Sequence, residues 1–179
     1  MNTLNRISKN EIRDLLGKGW LTHDGMWFYH AYQALGIKTA NELNKAAIKS
    51  LAPIEVKRVK LLLEISAEKM VSFNDLEAFM HDALELTLPE SVFGKLHFSS
   101  SRQNTLHWEW EKGECFAYKG MQAIGIIDAY SCGVMYRIEC WLEALRIDFS
   151  MHPRPGKCLM HATGRCAGDI SLTLENPGK

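Results

Sequence analysis

Five cysteines, at positions 115, 132, 140, 158 and 166, carry the clearest chemistry in the 179-residue chain. Thiolate is a soft ligand that holds zinc through three or four donors brought together by elements the fold has already placed. Cys132 stands at the start of a long helical stretch. Cys158 and Cys166 flank the run ATGR, which reads as a hairpin turn, and antiparallel partners across such a turn sit about 5 Å apart. A third donor from a helix terminus would complete a site on Cys132, Cys158 and Cys166. Burial accounts for cysteines equally well, because free cysteine is among the most buried residue types. Cys140, beside Trp141 and Leu142, reads as packing, and Cys115 either joins the donors or flanks the same core. The odd count, the lack of an export signal at Met1 to Leu4 and the absence of any C-x-x-C argue against a disulfide framework or a redox pair.

A second set of candidates is aromatic. The run THDGMWFYH holds His23, Asp24, Trp27 and His30, with Tyr32 just beyond, and TLHWEW holds Trp108 and Trp110. An apolar cavity with few polar groups is the usual small-molecule site, so Trp27, His23, Tyr32, Trp108 and Trp110 are expected to wall one. Thr22 or Asp24 reads as the cap of this helix. His97 and His107 would face each other if Phe98 paired with Leu106. With Glu109 they would form a cluster able to bind metal or move protons, or else the wet face of a half-buried sheet.

The elements that must position these residues follow from apolar spacing. Ser8 with Glu11 makes a capping box for a short helix that Gly17 and Gly19 are expected to end. Leu21 to Leu35 reads as a largely buried helix stopped by Gly36. Thr39 begins another, interrupted at Pro53 and resumed through Val56 to Ile65. Ser72 or Asn74 starts a helix on Leu76, Phe79, Met80, Ala83 and Leu84, closed by Pro89. Beyond residue 90 the period becomes two. Val92 to Phe98 and Thr105 to Glu111 read as an antiparallel pair around SSRQN, followed by helices over Glu114 to Ile124 and Ser131 to Leu145. Strands over Ile147 to Met151, Cys158 to Ala162 and Ile170 to Leu174 close the chain. The expected class is α+β in one domain over 1–179, with a helical part over 1–89 and an antiparallel sheet with packed helices over 90–179.

Composition removes several function classes. Twenty-one basic residues balance twenty-one acidic ones, so no global field favours nucleic acid or an anionic membrane. No apolar run reaches the length of a membrane span, and a cytoplasmic location is the default expectation. Nucleotide and hydrolase motifs are missing: there is no G-x-G-x-x-G, P-loop or G-x-S-x-G.

The run Cys132, then Cys158, then Cys166 beyond a glycine resembles the end of the 4-vinyl reductase domain, in which a cysteine before a helix is followed by Cys-x7-Cys in a closing hairpin. The resemblance implies that residues 90–179 share that domain's α+β fold and that these cysteines bind zinc. That family's fourth ligand is a glutamate three positions before the second cysteine; here that position is Pro155, and Cys115, Cys140, His152 and His161 are close enough in sequence to substitute. The stretch GECFAYKGMQAIGIIDAYSC resembles aminothiazoline-carboxylate hydrolase-like proteins, and LTHDGMWF resembles a bacterial family of unknown function with a helical opening. Two functions are therefore carried forward. One is a zinc-containing module that binds a small apolar or aromatic molecule and acts through a separate partner or as a homodimer. The other is a metal- or cysteine-dependent hydrolase of a small heterocycle such as a thiazoline carboxylate.

Overall fold

The computed structural model describes residues 3–66, 72–154 and 156–174; Pro155, the position of the expected glutamate, lies outside them. The chain is α+β, with helices first and a four-stranded antiparallel sheet in the C-terminal half. The Ser8 box forms as expected: the Ser8 hydroxyl accepts from the Glu11 amide at 3.2 Å and the Glu11 carboxylate accepts from the Ser8 amide at 2.8 Å. It opens α1, Lys9–Leu62, far longer than the separate helices expected. Gly17 does not end a helix, because its role is close approach: a Cβ there would lie 2.8 Å from the Pro89 ring. Pro53 is carried inside α1 as well. Its lost hydrogen bond and ring clash cost about 3 kcal/mol, a penalty that the burial of Ala52, Val56 and Val59 around it offsets. The single break is at Gly36, whose φ of 79° and ψ of 165° suit glycine and fold α1 into two arms.

The expectation that residues 21–35 are largely buried fails. Of their large side chains only Phe28 is buried, while Met26, Trp27 and Leu35 are exposed. Apolar content without a covering neighbour explains the difference: Phe28 enters the core, with Ala31 and Tyr32 packed against it, while Met26, Trp27 and Leu35 find no element over them.

Ser72 caps α2, Phe73–Thr87, through a second box with Asp75, and α2 buries the five residues expected of it. A short α3, Glu90–Phe93, takes up Val92 and delays the first strand. The sheet consists of β1, Leu96–Arg102, β2, Thr105–Trp110, β3, Asp148–His152, and β4, Cys166–Thr173, in the order β1-β2-β4-β3. The turn lies at Gln103 and Asn104, tighter than SSRQN, so Phe98 pairs with Trp108 and His97 with Glu109, two residues away from the expected register. A shift of two keeps every side chain on its expected face. Leu106, Trp108 and Trp110 therefore point inward with Ile170 and Leu172, against α5, Gly133–Ala144. Between β2 and α5 runs α4, Phe116–Ala123. Residues Cys158 to Ala162, expected as a strand, instead form the N-cap and body of α6, Leu159–Thr163, which Gly164 ends at φ 76°.

The tightest packing in the sheet is at Gly168, where an added Cβ would come within 2.6 Å of the His152 carbonyl oxygen and closer still to the fully buried Trp108 ring. Neither neighbour is a flexible tip. Gly168→Ala is expected to cost about 3 kcal/mol or more in urea unfolding, at or above the usual range for overpacking. Gly120→Ala, in a helix with open space around it, should by contrast stabilise by about 0.5–1 kcal/mol.

Candidate functional site

Four of the five cysteines converge in the C-terminal half. Cys115 is the N-cap of α4, Cys132 that of α5 and Cys158 that of α6, while Cys166 is the first residue of β4. All four are buried and none is in a disulfide. Backbone ties explain how segments distant in sequence arrive together. The Cys132 amide donates to the Gly156 carbonyl at 3.2 Å, and Ser131 bridges Lys157, which sets Cys132 beside Cys158. Cys166 pairs with Trp110, and the Trp110 ring meets Phe116, next to Cys115, edge-on at 6.1 Å. The Gly113 amide lies 3.3 Å from the Met160 sulfur, joining the approach to α4 with α6.

Each of the four thiols is within electrostatic reach of at least two others. Burial pushes Cys115 and Cys166 up to about 12, and the neighbouring thiols push the same way. Cys132 is raised by burial too. Opposing this, the backbone amides of Tyr118 and Ala117 favour a thiolate at Cys115, and those of Met135 and Val134 favour one at Cys132, although none closes a cap hydrogen bond. The Trp108 indole N–H likewise favours a thiolate at Cys166. It stops short of a hydrogen bond, so the Trp108 and Trp110 indole nitrogens are buried without partners among the described residues. Tyr130 stands amid Cys132, Cys115 and Cys158; its hydroxyl accepts from the Gly133 amide at 3.0 Å.

The donors meet differently from the sequence expectation. Cys158 and Cys166 are not ladder partners, because α6 and its Gly164 turn replace the hairpin. His161 lies exposed on α6, its Nε2 2.7 Å from an Asp128 carboxylate oxygen. Among the described residues, the donors that all come within 4.8 Å of one another are those of His81, Asp82 and Glu85 on α2, not three of the sulfurs. That trio is half-exposed, and Arg13 already pairs with Glu85 at 3.3 Å. His107 pairs with Asp169 at 2.9 Å, and Arg165 holds Glu109 with two bonds, all on the outward face of the sheet. This is the solvated reading of that cluster.

The expected aromatic wall is split. Trp27 is 67% exposed and Trp108 0%, with Trp110 also buried, Tyr32 half-buried and His23 exposed. Thr22 and Asp24 are interior to α1 and cap nothing. What opens instead is a cleft between the two arms of α1. Asp24, Trp27 and Phe28 of the first arm face Ala40, Leu43 and Asn44 of the second around about 290 Å³. Further along, a cavity of about 250 Å³ is bounded by Trp20, Asp24, Leu51, Phe116, Tyr130 and Arg137. Asp24 lines both, and its carboxyl is raised above the ordinary range by partial burial, which Arg137 opposes.

Sequence reasoning missed the residues that join cleft and thiols. The Glu55 carboxylate accepts from Arg137 through both of its oxygens and from the Trp141 indole at 3.0 Å. Asn41 binds the Ala129 carbonyl at 2.9 Å and the Ser131 amide at 3.0 Å. Gly133 permits α1 to approach, since a Cβ would lie 2.9 Å from the Asn44 amide nitrogen. An arginine and a tryptophan four residues apart on the mostly apolar α5 were the available signal for the first group, while Glu55 stands among the lysines and arginine of α1.

Comparison with known proteins places the helical half. A family of unknown function, DUF6125, matches residues 5–96, just over half of the chain, and the chain belongs to that family. The match spans α1 to α3 and stops ahead of every cysteine. Neither a curated protein nor a solved structure matches.

Because three donors converge on Glu55, removing it strands a guanidinium whose side chain is mostly buried. Glu55→Ala is expected to lower the unfolding free energy by about 2–4 kcal/mol in urea titrations. Lys18→Ala, which breaks only an exposed pair with Asp14, should change it by less than about 0.5 kcal/mol.

Proposed function

We propose that this DUF6125 chain is a small-molecule-binding module whose C-terminal half is held by a structural zinc on Cys115, Cys132, Cys158 and Cys166. The observation that carries the reading is the convergence of four buried thiols from four separate segments. Burying four thiols, each within electrostatic reach of at least two others, beside two unpartnered indole N–H groups is a poor way to fill a core, whereas it is an ordinary way to prepare a metal centre. Zinc requires thiolates, and the backbone amides of α4 and α5 and the Trp108 N–H are the groups that would accept that charge. The likeness of the cysteine run to the 4-vinyl reductase domain and to aminothiazoline-carboxylate hydrolase-like proteins points to the same residues. Cys115 takes the place of that domain's glutamate, and His161, engaged by Asp128, is not needed.

Four protein thiolates would fill zinc's usual four positions, which favours a structural ion over one that activates water. The raised pKa values of Cys115, Cys132 and Cys166 likewise weigh against a nucleophile at these three positions and thus against the hydrolase. The ligand site is the cavity beside this centre, where Trp20, Phe116 and Tyr130 supply apolar surface and Asp24 and Arg137 supply orientation. A small, largely apolar or aromatic molecule carrying one polar group suits that lining.

Elemental analysis of untagged protein should find about one zinc per chain. Removing it with a chelator, or replacing Cys132 by serine, should lower the melting temperature by roughly 10 °C or more, on a scale of ~2–4 °C per kcal/mol. A panel of aromatic acids and amines and thiazoline carboxylates should then shift the zinc-loaded melting temperature without turnover. Metal-free protein with five titratable thiols and undiminished stability would remove the zinc reading, and ring-opening of a panel member would establish the hydrolase instead.

A further inference from the structure

The outer lips of the α1 cleft expose large apolar side chains with regular spacing. Leu16 and Trp27 are eleven residues apart, three helical turns, with Trp20 on the same stripe. Leu43, Ile54 and Leu61 repeat this on the second arm, over three and then two further turns. All six are exposed, Leu16 at 67% and Leu61 at 69% among them. Trp27 and Leu43 border the same opening, so the two stripes flank one surface.

We infer that this surface is the interface of a homodimer, in which the α1 lips of one copy cover those of another. The six side chains together leave an apolar area on the order of 700–800 Å² uncovered, close to the ~800 Å² per partner of a standard interface. A small ligand is too short an occupant, since Leu43 to Leu61 alone spans about 27 Å at 1.5 Å per residue. Within the 179 residues, the described remainder of the molecule does not cover the stripes. An apolar stripe is complementary to its own copy under a two-fold axis, and the formal net charge of zero sets no repulsion between copies. Trp20 within the first lip and Trp27 at its end are the residue type that most often anchors such contacts.

Sedimentation velocity of the full chain across the micromolar range should give twice the 20.3 kDa chain mass. Trp27→Glu and, separately, Leu61→Glu should return the 20.3 kDa monomer with unchanged circular dichroism, cysteine accessibility and metal content. Leu61, on the other arm, keeps the test decisive if Trp27→Glu fails to fold. A wild-type monomer throughout the range overturns the inference and leaves the lips to a different protein; a dimer that survives both charges overturns it by placing the contact elsewhere. Neither result bears on the zinc content or the ligand shifts, so the binding-module reading stands or falls separately.

Discussion

The helix at the centre of the C-terminal half, α5, is oriented by the carboxylate of Glu55, which takes the Arg137 guanidinium and the Trp141 indole N–H at once. Arg137 and Trp141 are one turn apart on α5 and stack, with the guanidinium 5.2 Å from the ring. Fixing them fixes the rotation of α5 about its axis. That rotation in turn turns Ile138 and Leu142 toward the sheet and aims the α5 N-terminus, with Cys132, at Cys158. The segment that the family model matches thus supplies the acceptor that registers α5, which lies beyond the match.

The thiols and the cleft share a wall. Tyr130 and Gly133 face the cavity on one side and, through the Tyr130 hydroxyl and the Cys132 backbone, the sulfurs on the other. Phe28 presses edge-on against Tyr130 at 5.7 Å from the first arm of α1. A change at the thiols therefore reaches the cavity through one ring and one glycine, without any element having to move far. This arrangement couples the thiols to the lining of the cavity while no cysteine is among the residues that bound it.

Apolar periodicity and cap residues made the class, the Ser8 capping box, the Ser72 start of α2, α2 itself, α4, α5 and the inward face of β2 legible in the sequence, whereas the Ser72 box with Asp75 was not read. It failed where a residue's usual local meaning was overridden by packing. Gly17 and Pro53 are helix breakers by propensity, yet α1 runs through both because Gly17 seats Pro89 and Pro53 lies among buried neighbours. Cys158 to Ala162 carries too few residues to distinguish a strand from one helical turn, and the left-handed Gly164 decides for the helix. The three cysteines were legible as candidates from their spacing and the fourth as an alternative. Their convergence was not, since it depends on the backbone contact between Cys132 and Gly156 and on the register of Cys166 with Trp110. The cavity was misread because composition cannot say whether a tryptophan faces inward: Trp108 and Trp27 look alike in sequence and lie at opposite extremes of exposure.

The Gly36 break also shapes the order in which the chain can assemble. Phe28 and Ala40, or Asp24 and Asn44, meet across a turn of one or two dozen residues, so closing the two arms of α1 costs little loop entropy. The Glu55 to Arg137 contact joins residues 82 apart in sequence and β2 meets β4 across some sixty. Rapid, local formation of the α1 hairpin leaves a preformed edge on which α5 can dock, and the slow, long-range closure of the sheet follows on a template that already exists. A glycine that contributes nothing to the thiol cluster thereby lowers the search that the cluster requires.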